Sequence, residues 1–304
     1  MNIDQSIDFR SKCEHFRILV IGRANAGKTT LLRKVCRSTE DPRIFSPSGK
    51  RVSWLARGLH DIENELIFKS NPQFIFHDSR GFESGSVEEL DKVKTFLATR
   101  AATTDLSKQL HMIWYCLPTD TDRPILEADI QFFDVCGSGS VPVIAIFTKF
   151  DGLVTKAYNE LRRGGSKIVD AKRKGTEIAQ QKLQTDFINT LRKLTKFHPS
   201  NNVQLGDVQK DETDCSELIN ITADAITNEG LKLLFVSVQQ NNIACCVRYV
   251  IWKSVIAFLS LSFFSDLLCT KRSQGFEPSP RKRFSLIQNF GVVSACLGLW
   301  LVTL

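Results

Sequence analysis

The chain has 304 residues, a formal net charge of +7 and 42% hydrophobic residues, which excludes a wholly disordered polymer and leaves room for one large domain or two small ones. Its nine cysteines include no C-x-x-C pair and no Cys/His cluster at zinc spacing, only the neighbours Cys245 and Cys246, so neither a disulfide nor a zinc framework is expected and the thiols read as buried in a reducing compartment. The charge is unevenly placed: residues 153–198 hold eleven Lys/Arg against four Asp/Glu, and residues 270–283 five against one, Glu277, so the remainder is slightly acidic.

Residues 1–14 form an N-terminal extension with acids and no apolar core, which is not a secretory leader pattern and fits a cytosolic start. The apolar run Phe16 to Ile21 predicts a strand that delivers Gly22-Arg23-Ala24-Asn25-Ala26-Gly27-Lys28-Thr29-Thr30, and Leu31, Leu32 and Val35 then repeat as in a helix running to about Arg37. A strand, a glycine-rich turn and a helix start are the setting in which G-x-x-x-x-G-K-[ST] forms a phosphate cradle. Backbone N–H groups and the positive helix end surround an anion there. The lysine adds a point charge between the outer phosphates, and Gly27 lets the backbone close on them.

Ser38 to His60 is rich in Pro, Ser, Arg and Gly and reads as a loop, the place for a switch segment. Glu65 to Phe68 and Phe74 to Phe76 are predicted strands joined by the hairpin signal Lys69 to Gln73, and the second delivers Asp78-Ser79-Arg80-Gly81. Val87, Leu90, Val93 and Phe96 have helical spacing, Met112 to Leu117 is the next strand, and Asp122 to Phe133 is helical with Pro124 in its first turn. Val141 to Phe147 is a continuous apolar run, as expected of a strand covered on both faces, and ends in Thr148-Lys149-Phe150-Asp151. A basic, mostly helical insert at about 153–200 follows. After it come a short predicted strand, Glu217 to Ile221, then Thr222-Ala223, then a helix from about Asn228. This alternation predicts an α/β fold: a P-loop NTPase doubly wound, mostly parallel sheet with helices on both faces, plus C-terminal apolar helices. Each motif falls at the carboxyl end of a strand.

That placement assigns chemistry. Thr29 through its hydroxyl and Asp78 through water would hold Mg²⁺, and the Gly81 N–H would sense a terminal phosphate. The Asp151 carboxylate would accept from two adjacent guanine donors, N1–H and the 2-amino group, a pattern that adenine lacks. The Lys149 stem would lie over the ring, and Thr222-Ala223 would back the base with N–H groups. Gly22, Asn25, Ala26, Gly27, Lys28, Thr30 and Thr148 complete the contacts expected for GTP or GDP. D-x-x-G is weak alone; its order after a phosphate loop carries it. For a further Mg²⁺ ligand Thr39 lies too close to the first helix, and Ser46, Ser48 and Ser53 remain without an assignment. His15, His60, His77, His111 and His198 form no ligand pattern, and His60 and His77, each before an aspartate, read as structural.

The order GRANAGKTT, DSRG, TKFD and TA resembles a translation-factor-related (TRAFAC-type) P-loop GTPase. The first segment is similar to the GRPNAGKS-type loops of the Era and MnmE-like GTPases, and FIFHDSRGFESG, HMIWYC and VPVIAIFTKFD resemble fungal single-G-domain proteins. The resemblance covers roughly residues 15–235 and implies a G domain over 15–240. Phe82 stands where small signalling GTPases place a water-orienting glutamine, so hydrolysis needs another element. The resemblance implies that Asn25 would help hold a K⁺ ion, with Asn25, Lys28 and Gly81 the catalytic set; the alternatives are cis fingers from Arg23 or Arg80, and an Asn25 bonded only to its own loop.

The basic insert would meet RNA, acidic headgroups or a protein, or simply be solvated; no aromatic platform interleaves its charges, which disfavours nucleic acid. Residues 241–269 read as an apolar helix interrupted by Lys253 and Asp266, and 270–283 as a basic linker. Phe284 to Leu304 carry no charge, and at about 1.5 Å per residue they reach roughly 30 Å, enough to span a bilayer core. Charge placement favours one span, leaving linker and G domain both cytosolic, tail-anchored to an intracellular membrane. The expectation is a slow GTPase switch with an unidentified protein effector. Its alternatives are a nucleotide-loaded scaffold that hardly hydrolyses and a ribosome- or RNA-associated GTPase.

Overall fold

β1 (Phe16–Gly22) is buried along its whole length, as a run of aliphatic residues without alternation must be when both faces of a strand are covered. In the computed structural model, which describes residues 12–52, 61–79, 87–136, 139, 141–239 and 247, β1 lies inside an eight-stranded sheet of order β3-β2-β4-β5-β1-β6-β7-β8. The other strands are β2 (Arg43–Phe45), β3 (Arg51–Val52), β4 (Glu65–Phe68), β5 (Asn71–Asp78), β6 (Met112–Pro118), β7 (Val143–Thr148) and β8 (Asn201–Gln204). β5, β1, β6, β7 and β8 are mutually parallel, and β4, β2 and β3 extend the sheet antiparallel.

Alternate residues of each strand serve two cores. Ile18 and Val20 pack with Trp114, Ile144 and Ile146 under α1 (Lys28–Val35), α7 (Ser216–Ala225) and α8 (Glu229–Ser237). On the other face, Leu19 and Ile21 pack with Tyr115, Ala145 and Phe147 under α2 (Val87–Ala102), α3 (Glu127–Cys136) and α4 (Phe150–Arg163). The same face takes α5 (Ile168–Lys182), which runs through a π-helical stretch, Leu183–Asn189, into α6 (Thr190–Leu194). Helices thus cover both faces of a mostly parallel sheet. Cys13, Cys36, Cys116 and Cys215 are buried free thiols.

Three expectations change. The stretch read as a loop from Ser38 to His60 contains β2 and β3, whose turn uses two of the three candidate hydroxyls: the Ser46 and Ser48 Oγ atoms share a 2.8 Å hydrogen bond and Lys50 N–H donates to Ser46 Oγ. The helix expected from Asp122 begins at Glu127. Glu217 to Ile221 is not a strand: Leu218, Ile219, Thr222 and Ala223 form the buried side of α7, at helical spacing. The last parallel strand among the described residues is instead β8, with Val203 alone fully buried because no described strand pairs with its outer edge. Ser53, His60, Arg80, Gly81, Phe82 and the tail segments Tyr249–Cys269, 270–283 and Phe284–Leu304 lie outside the described residues. Among those described, no helix is long and apolar enough to cross a membrane.

Away from the carboxyl edge, Arg17 organises a buried polar cluster. Its Nη1 donates to Glu65 Oε1 at 2.6 Å and to His77 Nε2 at 3.2 Å, while His77 Nδ1 donates to the Ile62 carbonyl at 2.9 Å. Arg17 N–H donates to His111 Nδ1, leaving the His111 proton on Nε2 towards the Leu106 carbonyl. Burial, with Arg100 and Arg17 nearby, pushes His77 down to about 3; burial, with Arg17, pushes His111 down to about 4. Both are neutral in the fold and charge on unfolding. Their contribution is complete above the ordinary value of 6.5 and is lost as the pH falls towards 4. We expect each to remove about 2 kcal/mol of stability between pH 7 and pH 5. Urea unfolding at the two pH values checks this with His111→Asn, which keeps an acceptor for Arg17 N–H; an undiminished pH difference in that variant contradicts the assignment.

Candidate functional site

Register brings the motifs to one edge. Val20 pairs with Asp78, Gly22 with Cys116, Pro118 with Thr148 and Phe147 with Gln204, so β1, β5, β6, β7 and β8 all end together. Gly22 has φ +140, and a Cβ there would lie 2.1 Å from the Cys116 carbonyl oxygen, so only glycine lets the loop leave β1 this close to β6. Asn25 and Gly27 both adopt left-handed backbone, φ 59 and φ 81, and Gly27 caps α1. Ala26 is buried, Thr29 half-buried and Thr30 exposed. Lys28 is buried and its Nζ donates to the Arg23 carbonyl at 3.1 Å.

The Arg23 side chain points elsewhere. It donates to Asp129 Oδ2 at 2.5 Å and to the carbonyls of Arg123 and Pro124, both at 2.7 Å. Asp129 also accepts from Tyr115 Oη and from Leu126 N–H, both at 2.7 Å, with no side-chain exposure. This buried pair ties the loop to the segment after β6 and engages the guanidinium that the sequence offers as one alternative cis finger: its charge is already paired with a carboxylate.

Asp78 closes β5. It is buried, its Oδ1 has no hydrogen-bond partner among the described residues, and burial lifts its pKa to about 6 against the opposing pull of Lys28. An orphaned buried carboxylate oxygen near a lysine and a threonine-bearing helix start is a donor set that suits a hard divalent cation. Among the described residues no group of three or more His, Cys, Asp or Glu side chains gathers for a metal.

At the end of β7, Thr148 is buried and its Oγ1 has no hydrogen-bond partner among the described residues, while its carbonyl accepts from Thr119 N–H at 2.9 Å. Lys149 caps α4 at φ 57, a backbone rare for a side-chain residue and concentrated at functional turns, and its Nζ meets Asp120 Oδ2 at 3.0 Å. Asp151 Oδ1 accepts from Asp207 N–H at 2.8 Å, and Phe150 N–H donates to the Leu205 carbonyl. Arg23, Ala24, Asn25, Pro118, Asp120, Thr121, Arg123, Leu126 and Lys149 line one cleft of about 260 Å³, which joins the phosphate loop to the turn after β7.

Thr222 and Ala223 are not part of that turn. Thr222 is buried inside α7, donating to the Leu218 carbonyl and accepting from Trp114 Nε1, and Ala223 belongs to the core beside it. The residues that touch Asp151 are Gly206 and Asp207, after β8; a Cβ on Gly206 would lie 3.0 Å from Asp151 N. The turn signal Gly206-Asp207 marks the place in the sequence, but the polar strand before it does not. Gly81 lies outside the described residues.

A strand, glycine turn and helix at the head of a doubly wound sheet define a phosphate-loop α/β domain. No protein-family model matches the chain, and no curated protein matches it. Among solved structures, it is similar to a probable GTP-binding protein engB (15% identity, TM-score 0.35, covering 69% of this chain and 98% of that one). It is also similar to the septin GTPase domain from Chlamydomonas reinhardtii (19%, 0.30, 49% and 59%) and a GDP-bound mutant of the S. thermophilus FeoB G-domain (21%, 0.29, 45% and 45%). The chain thus spans less than two thirds of the septin and FeoB chains.

Two outcomes follow from the geometry. Asp129→Ala strands a buried guanidinium and is expected to cost about 3–5 kcal/mol in urea unfolding, whereas a loss below 1 kcal/mol would leave the pair without weight. Asp78 takes up its proton in the fold before it does in the open chain, so its charge disfavours the ligand-free fold above pH 6 and the penalty fades as the pH falls towards 4. Asp78→Asn is expected to stabilise the ligand-free protein at pH 7 by about 3 kcal/mol, with most of the gain gone by pH 4; a variant less stable than the parent at pH 7 would refute this.

Proposed function

We propose that the chain binds GTP and GDP with Mg²⁺ and hydrolyses GTP slowly, as a G-domain switch. The observation that carries this reading is the convergence of Lys28, Asp78, Lys149 and Asp151 at one sheet edge, with Asn25 and Lys149 lining a shared cleft. In it, Gly22, Ala26, Gly27 and Thr30 shape the phosphate loop, and Lys28 with the loop amides holds the phosphates. Thr29 and Asp78 hold Mg²⁺, which neutralises charge on the phosphate oxygens. Asp151 accepts from the guanine edge, Lys149 covers the ring, and Gly206 and Asp207 take the backing role expected of Thr222 and Ala223.

Two features support slow turnover: Arg23 is committed to Asp129, and in the sequence Phe82 stands where a water-orienting glutamine would be. Asn25 is exposed at the cleft, where the Era- and MnmE-like resemblance gives it a K⁺ ion to hold. Gly81 is read as the sensor of the terminal phosphate, and Phe284–Leu304 as a tail that anchors the domain to a membrane.

A fluorescent guanine nucleotide tests the binding. GTP should displace it and excess ATP should not, and Lys28→Ala should weaken it about 10- to 100-fold; equal displacement by ATP overturns the base assignment. Phosphate release should be faster in potassium than in sodium salts. No release in either salt favours the nucleotide-loaded scaffold.

A further inference from the structure

α4 and α5 pack against each other where Gly175 meets the Tyr158 backbone, 3.4 Å from where a Cβ would sit. Their inward residues are small: Ala157, Ala171 and Ala179 are buried. At the connection between the two helices the pattern reverses. Ile168 is 53% exposed and Val169 79%, the highest among the exposed large hydrophobics of the described residues. Arg162, Arg163, Lys167, Lys172, Arg173 and Lys174 surround them in sequence, all exposed, and Asp170 is the one acid between 162 and 174. Two of these cations have partners. Arg162 Nη1 donates to the Ser166 carbonyl at 2.5 Å, which shapes the connection, and Arg173 lies 3.6 Å from Glu177 in a pair exposed on both sides, which holds little charge back from a partner.

A merely solvated connection explains the cations and leaves Ile168 and Val169 without a reason. A phosphodiester backbone would also answer the cations alone, and among residues 162–174 there is no aromatic ring for a base to stack on. An anionic bilayer answers both features at once. Its headgroups attract the arginines and lysines, and its boundary with the acyl chains takes short aliphatic side chains out of water. We infer that the end of α4, the turn after it and the first turn of α5, with Ile168 and Val169 at their centre, form a docking surface for an anionic lipid bilayer. It stands on residues separate from both the nucleotide cleft and the uncharged run Phe284–Leu304.

Flotation of the full-length chain with phosphatidylcholine vesicles, with and without phosphatidylserine, tests this and separates it from anchoring by the tail. Binding to neutral vesicles measures the tail; the increase on adding phosphatidylserine sums the surface and the basic linker 270–283, and the part lost in variants of the surface belongs to the surface. The increase should be about tenfold at low salt and should fade as salt rises. Lys172→Glu with Arg173→Glu should reduce it severalfold, and Val169→Asp likewise, both with unchanged thermal midpoints. Equal flotation with both vesicle types, or variants that float like the parent, overturns the inference. So does a third result, in which single-stranded RNA binds through Lys172 and Arg173 with no loss in Val169→Asp.

Discussion

A parallel sheet puts the carboxyl ends of its strands along one edge, and the whole of the proposed nucleotide site depends on that constraint. β5, β1, β6, β7 and β8 each stop where a loop must turn away, and those loops carry Asp78, the glycine turn, Asp120, Lys149 and Asp207. The tightest point is Gly22 against the Cys116 carbonyl, where a single added carbon has no room. Glycine here is required by the neighbouring strand before any ligand is considered. The Arg23–Asp129 pair then fastens the loop a second time, from the side, so that the amides of residues 24–28 are held in place ahead of binding.

β5 shows how the same fold treats two buried ionisable groups differently. His77 and Asp78 are neighbours and point to opposite faces of the sheet. Burial disfavours the charged form of each. His77 nonetheless has both ring nitrogens engaged, by Ile62 and Arg17, and is content as a neutral structural residue. Asp78 Oδ1 has no hydrogen-bond partner among the described residues. On one strand the fold satisfies one buried group fully and its neighbour incompletely, and the open carboxylate oxygen is the one assigned to a cation in the proposed function.

Much of this was legible in the sequence where burial is symmetric. β1, β6 and β7 are covered on both faces and so appear as continuous apolar runs, and the glycine turn, Asp78 and Asp151 sit directly at strand ends. β8 was not legible, because a strand at the sheet edge buries only Val203 of Asn-Asn-Val-Gln. Its absence from the reading shifted the last strand to Glu217–Ile221, where adjacent Leu218 and Ile219 hid the helical spacing to Thr222 and Ala223. Arg23–Asp129 had no local signature either. The partners stand 106 residues apart, and only the folded sheet brings them together.

The π-helical stretch between α5 and α6 has a consequence for the basic surface. Ala171, Gly175, Ala179, Leu183, Phe187 and Leu191 recur at every fourth position and are all buried. In an ideal α-helix of 3.6 residues per turn such a series would wander around the rod by about 40° at each step. The wider winding of Leu183–Asn189 takes up that excess and keeps one seam facing inward over the whole length. Removing a single residue there would rotate one half of the rod relative to the other by about 100°, and would turn cations inward or Phe187 outward. The outward display of charge on this insert therefore rests on a local fault in helical winding.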